Sequence, residues 1–168
     1  GMMGPRGYVG MDGATGPIGP GSVFYWVNGD GSGDITNTRT TPVSTGMTIT
    51  VLPELETSTL QVQFFGLFQV NHNSGVVGTD NRQNNIWIQR NGVNIFQTTV
   101  GNTLSSASTT STQTSNSGTL TLIDQPNTTS PVTYEVFFSC VDSPNDTDVI
   151  TTFKNSGLFI PSLSVQEF

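Results

Sequence analysis

Oxygen-bearing side chains at alternate positions make residues 28–34 the segment best suited to bind an ion. The run Asn-Gly-Asp-Gly-Ser-Gly-Asp offers Asn28, Asp30 and Asp34, with a glycine at the sixth position, as at the start of a calcium-binding loop. The twelfth position, where such a loop needs a bidentate glutamate, is Arg39, and no helical pattern flanks the segment. A metal-free turn is the favoured interpretation and a calcium loop the alternative. We expect no cofactor.

The remaining reactive side chains do not form a catalytic constellation. His72 is the only histidine and lies in a polar Asn-His-Asn-Ser-Gly run that is typical of a surface loop. Glu54 and Glu56 follow Pro53 and are interpreted as a solvated connection. Cys140 is the only cysteine, which excludes an intrachain disulfide, and its alternation with apolar residues favours a buried thiol. We therefore expect that the protein is not an enzyme.

The charge balance limits the classes of partner. Twelve acidic and five basic residues give a net charge of −7, and charged residues make up only 10% of the chain. No basic stripe is present to neutralise phosphates, so we expect no binding to nucleic acid. The longest apolar runs, such as residues 64–68, are too short to span a bilayer, so we expect no membrane insertion.

Alternation of apolar and polar residues predicts the elements that position these side chains. Residues 59–70 alternate with a period of two, and residues 132–140 repeat the pattern. The apolar face of the first of these strands carries Leu60, Val62, Phe64, Gly66, Phe68 and Val70. Asn91-Gly92 between residues 86–88 and 93–96 predicts a β-hairpin, because both residues tolerate a positive φ.

Shorter strands complete the predicted sheet structure. They are expected near residues 23–27, 47–51, 118–123, 149–153 and 158–165. Residues 103–117 are almost entirely Ser, Thr, Asn and Gln, which fits either a disordered loop or a Thr-rich strand plus a loop. Eight or more strands without a helical pattern predict an all-β fold, an antiparallel jelly-roll sandwich.

The N-terminal segment follows a different rule, with glycine at every third position. Seven glycines keep this register, and the phase breaks at Ser22. They are Gly1, Gly4, Gly7, Gly10, Gly13, Gly16 and Gly19. In a collagen triple helix every third residue faces a crowded axis where only glycine fits, so the pattern requires three chains. We therefore predict two domains, a collagen-like stalk segment over residues 1–21 and a head over residues 22–168.

The stalk segment is too short to bring three chains together alone. Only three of its seven triplets contain proline, and about 21 residues form a rod of roughly 60 Å. The head is therefore expected to form a homotrimer. Some head strands are apolar on both faces, and we predict that Phe65, Leu67, Trp87 and Phe137 lie near a three-fold axis. A local irregularity of the core is the alternative.

This combination resembles the collagen-like fibre and spike proteins of viruses and bacterial spore coats. The Gly-x-y triplets are its specific motif, and a β domain of about 147 residues that closes with Ser162-Leu163-Ser164-Val165-Gln166 completes it. The heads of such proteins are trimeric jelly rolls similar to tumour necrosis factor and to the globular heads of the first complement component. The resemblance identifies no individual binding residue in this chain.

Function and location follow from the resemblance. It implies a structural or adhesive protein on the surface of a virion, whose trimeric head sets the register of the stalk and attaches to a host receptor or glycan. One alternative is a collagen-like glycoprotein of the spore surface. The other is an extracellular, soluble recognition ligand of the complement or tumour-necrosis-factor type.

Overall fold

The computed structural model describes residues 23–37, 41–72, 78–106, 112–140 and 149–168. Within these ranges the chain forms β-strands and no helix, and therefore none that could cross a bilayer. The strands are β1 (Phe24–Asn28), β2 (Ile35–Asn37), β3 (Val43–Val51), β4 (Leu60–His72), β5 (Gly78–Arg90), β6 (Val93–Ser106), β7 (Thr112–Asp124), β8 (Val132–Cys140), β9 (Val149–Lys154) and β10 (Ser162–Glu167). The predicted all-β class is confirmed.

The strands form two antiparallel sheets in jelly-roll order. One sheet has six strands, β1-β10-β4-β9-β2 with β7 on the other edge of β4, and the second has the order β3-β8-β5-β6. Strand β4 pairs with β10 through Leu60–Phe65 and with β9 through Leu67–His72, so β9 and β10 act as one interrupted strand. Strands β1 and β2 are interrupted in the same way. Each sheet then has four strand positions, as in a jelly roll.

Inward-facing aromatic and aliphatic side chains fill the space between the two sheets. Phe68 lies at the centre of the core, with its ring centroid 5.4 Å from that of Phe153 and 5.6 Å from that of Phe138. Phe64 and Tyr134 are also fully buried. The predicted inward face of residues 60–70 is confirmed, because each of its apolar side chains is buried in this core or beside it.

Two facing glycines make room for these rings. Gly66 of β4 pairs directly with Gly118 of β7, and both lie on the inner face. A Cβ atom on Gly66 would lie 2.5 Å from Cζ of Phe64 and 2.8 Å from Cε2 of Phe153. A Cβ atom on Gly118 would lie 2.8 Å from Cδ1 of Ile86. The aromatic core therefore needs glycine at both positions.

Three segments of the predicted strand pattern differ in how the structure resolves them. The hairpin at Asn91-Gly92 is confirmed, since these residues join β5 to β6 with φ values of 50° and 80°. In the polar segment 103–117 the described residues belong to strands β6 and β7, and the remaining residues, 107–111, lie outside the described part of the chain. The prediction of strand over residues 158–165 is wrong for 158–161. A turn with Gly157 at φ 65° displaces these residues, and β10 starts only at Ser162.

The sandwich has two distinct ends. Val23 lies at one end, where its carbonyl accepts a hydrogen bond from the Glu167 amide and β4 begins. Strands β2, β4, β6 and β8 all finish at the opposite end. The predicted stalk segment, residues 1–21, lies outside the described residues and precedes Val23 in the sequence.

Candidate functional site

The two interrupted strands meet at a shared break in the six-stranded sheet. Residues 29–34 separate β1 from β2, and residues 155–161 separate β9 from β10. The Gly29 amide donates to the Pro161 carbonyl at 2.8 Å, and the Gly33 amide donates to the Asn155 carbonyl at 3.3 Å. We call this pair of segments the paired break.

Asp30 and Asn155 join the two halves of the paired break. Asn155 Nδ2 donates to Asp30 Oδ1 at 2.9 Å, and its Oδ1 accepts from the Gly31 amide at 3.2 Å. The Ser32 amide also donates to Asp30 Oδ1, at 2.9 Å. Hydrogen bonds from Ser32 and then from Asn155 lower the pKa of Asp30 from 3.8 to about 2.

Asp34 anchors the same break to the end of β9. Its Oδ1 accepts hydrogen bonds from the Asn155 amide at 3.0 Å and from Ser156 Oγ at 2.7 Å, and its Oδ2 pairs with Lys154 Nζ. Burial raises the pKa of Asp34, but the hydrogen bonds from Lys154, Ser156 and Asn155 outweigh it. The net pKa of Asp34 is therefore lowered.

These contacts bear on the calcium alternative. The carboxylates of Asp30 and Asp34 both accept hydrogen bonds from Asn155, Asp30 from its side chain and Asp34 from its backbone amide, and Asn28 lies at an exposed strand position opposite Ser162. Across the described ranges no group of three or more His, Cys, Asp or Glu side chains could hold a metal ion. Protein donors thus occupy both carboxylates, and the calcium alternative with Asn28, Asp30 and Asp34 stays a prediction.

The predicted reactive side chains stay apart. Cys140 is buried, with Sγ 3.1 Å from the hydroxyl of Thr151, which in turn donates to Asn84 Oδ1. Glu54 and Glu56 lie in an exposed turn between β3 and β4, and His72 is the last residue of β4. The described side chains among these form no pair of nucleophile and base, so the remaining candidate surface is an apolar one.

Exposed apolar side chains lie at two places on the outward side of the six-stranded sheet. On β4, Phe65 and Leu67 point away from the core and line a hollow of about 260 Å³ with residues 158–161. Residues 158–160 are Leu-Phe-Ile, and Leu158 is 96% exposed. On β1, Phe24 and Trp26 face outward with ring centroids 5.9 Å apart. We call this surface, formed by Phe24, Trp26, Phe65, Leu67 and residues 158–160, the aromatic face.

The aromatic face carries no formal charge on the sheet strands that form it. The outward residues of β1, β10 and β4, and those described on β7, are Phe24, Trp26, Asn28, Ser162, Ser164, Gln166, Gln61, Gln63, Phe65, Leu67, Gln69, Ser115, Ser117, Thr119, Thr121 and Ile123. Lys154 borders this surface on β9, where Asp34 pairs with it. An uncharged surface rich in aromatic residues is typical of the centre of a protein interface.

The structure separates the four residues that were predicted near one axis. Phe65 and Leu67 lie on the aromatic face. Trp87 and Phe137 are direct neighbours on β5 and β8 of the other sheet. Trp87 is only 8% exposed and Phe137 is half-buried. The two pairs therefore lie on different sheets of the sandwich. The prediction that all four residues lie near a three-fold axis stays a prediction.

Sequence reasoning missed the two ends of the aromatic face. Residues 24–27 read Phe-Tyr-Trp-Val, and four consecutive apolar residues do not show which side faces the core. Residues 158–160 read as a strand because they are apolar and precede the alternation of β10. Gly157 before them and Pro161 after them were the available signals of a turn.

The comparison with known proteins found similarity to solved structures only. No family model matches the chain, and no curated protein sequence matches it. The structure of infectious bursal disease virus Gx strain matches with a TM-score of 0.41 and 11% identity over 97% of this chain and 42% of that chain. The VP2 subviral particle of infectious bursal disease virus matches with a TM-score of 0.41 and 8% identity over 95% and 45%. The chain thus spans less than half the length of these proteins.

Proposed function

We propose that the protein is a structural surface protein of a virus particle, built as a homotrimer with a collagen-like stalk and β-sandwich heads. The observation that carries this proposal is the set of seven Gly-x-y triplets, which requires three chains and stops one residue before the jelly-roll domain at Val23. The heads hold three chains in one register, and the stalk projects from them.

The exposed surface of the single chain supports the trimer. The aromatic face leaves Trp26 66% exposed together with Phe24, Phe65 and residues 158–160. Large exposed apolar patches on a protein surface mark regions that another molecule covers. The proposed trimer provides that cover.

A matched pair of variants tests the triple helix. Gly10→Ala places a methyl group on the crowded axis, whereas Met11→Ala changes a neighbouring position that faces outward. We expect Gly10→Ala to lower the melting temperature of the stalk, followed by circular dichroism, much more than Met11→Ala. Equal melting temperatures would contradict a triple helix and with it the stalk.

Attachment to a host receptor or glycan is the second part of this proposal. The head joins the stalk at the Val23 end, so the opposite end of the sandwich is the one presented outward. Three identical heads multiply weak contacts, and avidity can exceed the affinity of one head by about 10²–10⁴. Binding of the trimer to a glycan panel and to host cells, with a monomeric variant as control, measures this gain.

The location is tested on particles. Gold-labelled antibodies against the head should decorate the surface of purified virions from the source. Labelling of spores instead would favour the alternative of a spore-surface glycoprotein, and labelling of neither would contradict a particle-bound role.

A further inference from the structure

The aromatic face is the part of the described surface whose chemistry is least suited to water. Trp26 and Leu158 are 66% and 96% exposed, and the outward residues of β1, β10 and β4 are uncharged. We infer that this face is the contact between the three copies of this chain, with residues 158–160 of one copy seated between Trp26 and Phe65 of the next. This rests on the trimer proposed above.

The path of the chain identifies a second copy as the occupant. The last triplet ends at Gly21, and two residues further the chain reaches Val23, a span of at most about 7 Å. Strand β1 begins at the next residue and lies at the edge of the six-stranded sheet. Three chains that share a stalk therefore have their β1 strands close to the common axis. Phe24 and Trp26 are then the first outward side chains to meet the neighbouring copies.

Three-fold symmetry requires two different surfaces that fit each other. In a closed ring of three, each copy presents one patch to the copy before it and another to the copy after it. The aromatic face has both a projecting and a recessed part. Residues 158–160 project, while the small side chains of Ser162 and Ser164 on β10 lie between Trp26 on β1 and Phe65 on β4. The projecting turn of one copy thus has a recessed strip to enter on the next.

The charge pattern favours this face over the opposite sheet. Interface centres are depleted of Lys, Glu and Asp and enriched in Trp and Phe, because desolvating a charge is costly. On the opposite sheet, Glu135 stands between Thr133 and Phe137 along the outer side of β8, and Trp87 is already nearly buried. That side offers a neighbour less apolar surface and a carboxylate to desolvate.

Two single variants test the contact in the full-length protein. Leu158→Glu alters a side chain that is almost wholly exposed in the single chain, so the head should fold normally. Trp26→Lys places a cation on the recessed side. Removing a central anchor commonly weakens an interface by about 30-fold or more. We expect both variants to shift the light-scattering mass toward 17.9 kDa, whereas the wild type stays near three times that value.

A control variant and a double variant make the result specific. Val93→Glu changes a side chain that is 65% exposed, about as exposed as Trp26, at the hairpin of the other sheet. This variant should remain trimeric. Combining Trp26→Lys with Leu158→Glu should restore part of the trimer, because the new charges face each other across the contact. A trimer that survives both single variants overturns the inference while the proposed assembly stands. A monomeric wild type overturns the proposed assembly itself.

Discussion

At the scale of single residues, Gly66 and Gly118 decide how the aromatic rings fit between the sheets. The two glycines face each other across β4 and β7, and their missing side chains leave space that Phe64, Phe153 and Ile86 fill. Because protein cores are packed as densely as crystals, an added methyl group must displace a ring or the backbone.

Gly66→Ala should therefore destabilise the head. The new Cβ atom would lie 2.5 Å from a Phe64 ring atom, closer than any ordinary contact. We expect a loss of about 1–3 kcal/mol in the free energy of unfolding, measured by chemical denaturation. Ser117→Ala, at an exposed position of β7, is the matched control and should change stability by less than about 0.5 kcal/mol. An unchanged denaturation midpoint for Gly66→Ala would contradict this account of the core.

Partly buried hydrogen bonds tie the two sheets together near the end of β7. Asp124 at the end of β7 accepts from Arg90 Nη1 at 2.8 and 3.0 Å and from the Tyr134 hydroxyl at 2.7 Å. Arg90 and Tyr134 belong to the opposite sheet. Burial and then the hydrogen bond to Asp124 raise the pKa of Tyr134, so its hydroxyl remains a donor at ordinary pH.

Tyr134→Phe removes this one donor and keeps the ring. Hydrogen bonds to charged groups contribute about 1.5–3 kcal/mol, and we expect a loss of that order in the free energy of unfolding. Tyr25→Phe, at a half-buried tyrosine outside the network, should cost less. If chemical denaturation gave the same loss of unfolding free energy for both substitutions, the hydrogen bond between Tyr134 and Asp124 would not stabilise the fold.

At the scale of elements, the paired break interrupts the regular pairing of β1 and β2 with β10 and β9, and two backbone hydrogen bonds and several side-chain contacts join its two segments. Asp30, Asp34 and Asn155 hold the two segments together. The pKa values of both carboxylates are lowered in the folded protein, because its hydrogen bonds stabilise their ionised forms. The stability they contribute is present above the unfolded pKa of about 4 and is lost as the pH falls through the lower folded pKa values.

The melting temperature of the head should thus fall between about pH 4 and pH 2. In Asp30→Asn, part of this acid dependence should disappear, because the group with a folded pKa of about 2 can no longer titrate. Glu56→Gln, at an exposed position of the turn before β4, is the control and should keep the wild-type acid dependence. Thermal unfolding followed by circular dichroism from pH 2 to pH 7 measures these slopes.

Asn155→Asp should weaken the same element with the opposite pH dependence. It removes the donor to Asp30 and places a second carboxylate beside the first, so the free energy of unfolding should fall near pH 7. Protonation relieves the repulsion, so the difference from wild type should narrow as the pH falls toward 4. A constant difference in unfolding free energy over this range would contradict the direct contact. Asn94→Asp, exposed on β6, controls for the added charge.

Local pattern predicted the strands and not their interruptions. Alternation identified residues 60–70 and 132–140 and their inward faces, because burial on one side of a sheet imposes a period of two. The turn at 158–160 escaped detection since its partner, residues 29–34, lies more than a hundred positions away in the chain. Phe65 was found because it stands opposite an apolar alternation, whereas Phe24 and Trp26 lie in a continuous apolar run without a period.

At the scale of the whole molecule, the head and the stalk segment have separate tasks in the proposed assembly. The short, proline-poor stalk segment extends the assembly away from the heads, and contacts between the heads hold the three chains together. Removing residues 1–21 should therefore leave the trimer intact, because the aromatic face lies wholly within the head. Light scattering coupled to size exclusion measures the mass, and dissociation on truncation would show that the stalk holds the heads together.

The pairing of β1 with β10 also sets the order of events during synthesis. Phe24 pairs with Gln166 and Asn28 with Ser162, so β1 is synthesised long before its partner β10. Such distant pairing folds slowly, because a long loop must close before the contact stabilises it. The head is therefore completed only after translation has passed residue 166. Winding of the three stalk strands would then start at the finished heads and travel toward the N-terminus, against the direction in which the chain was made.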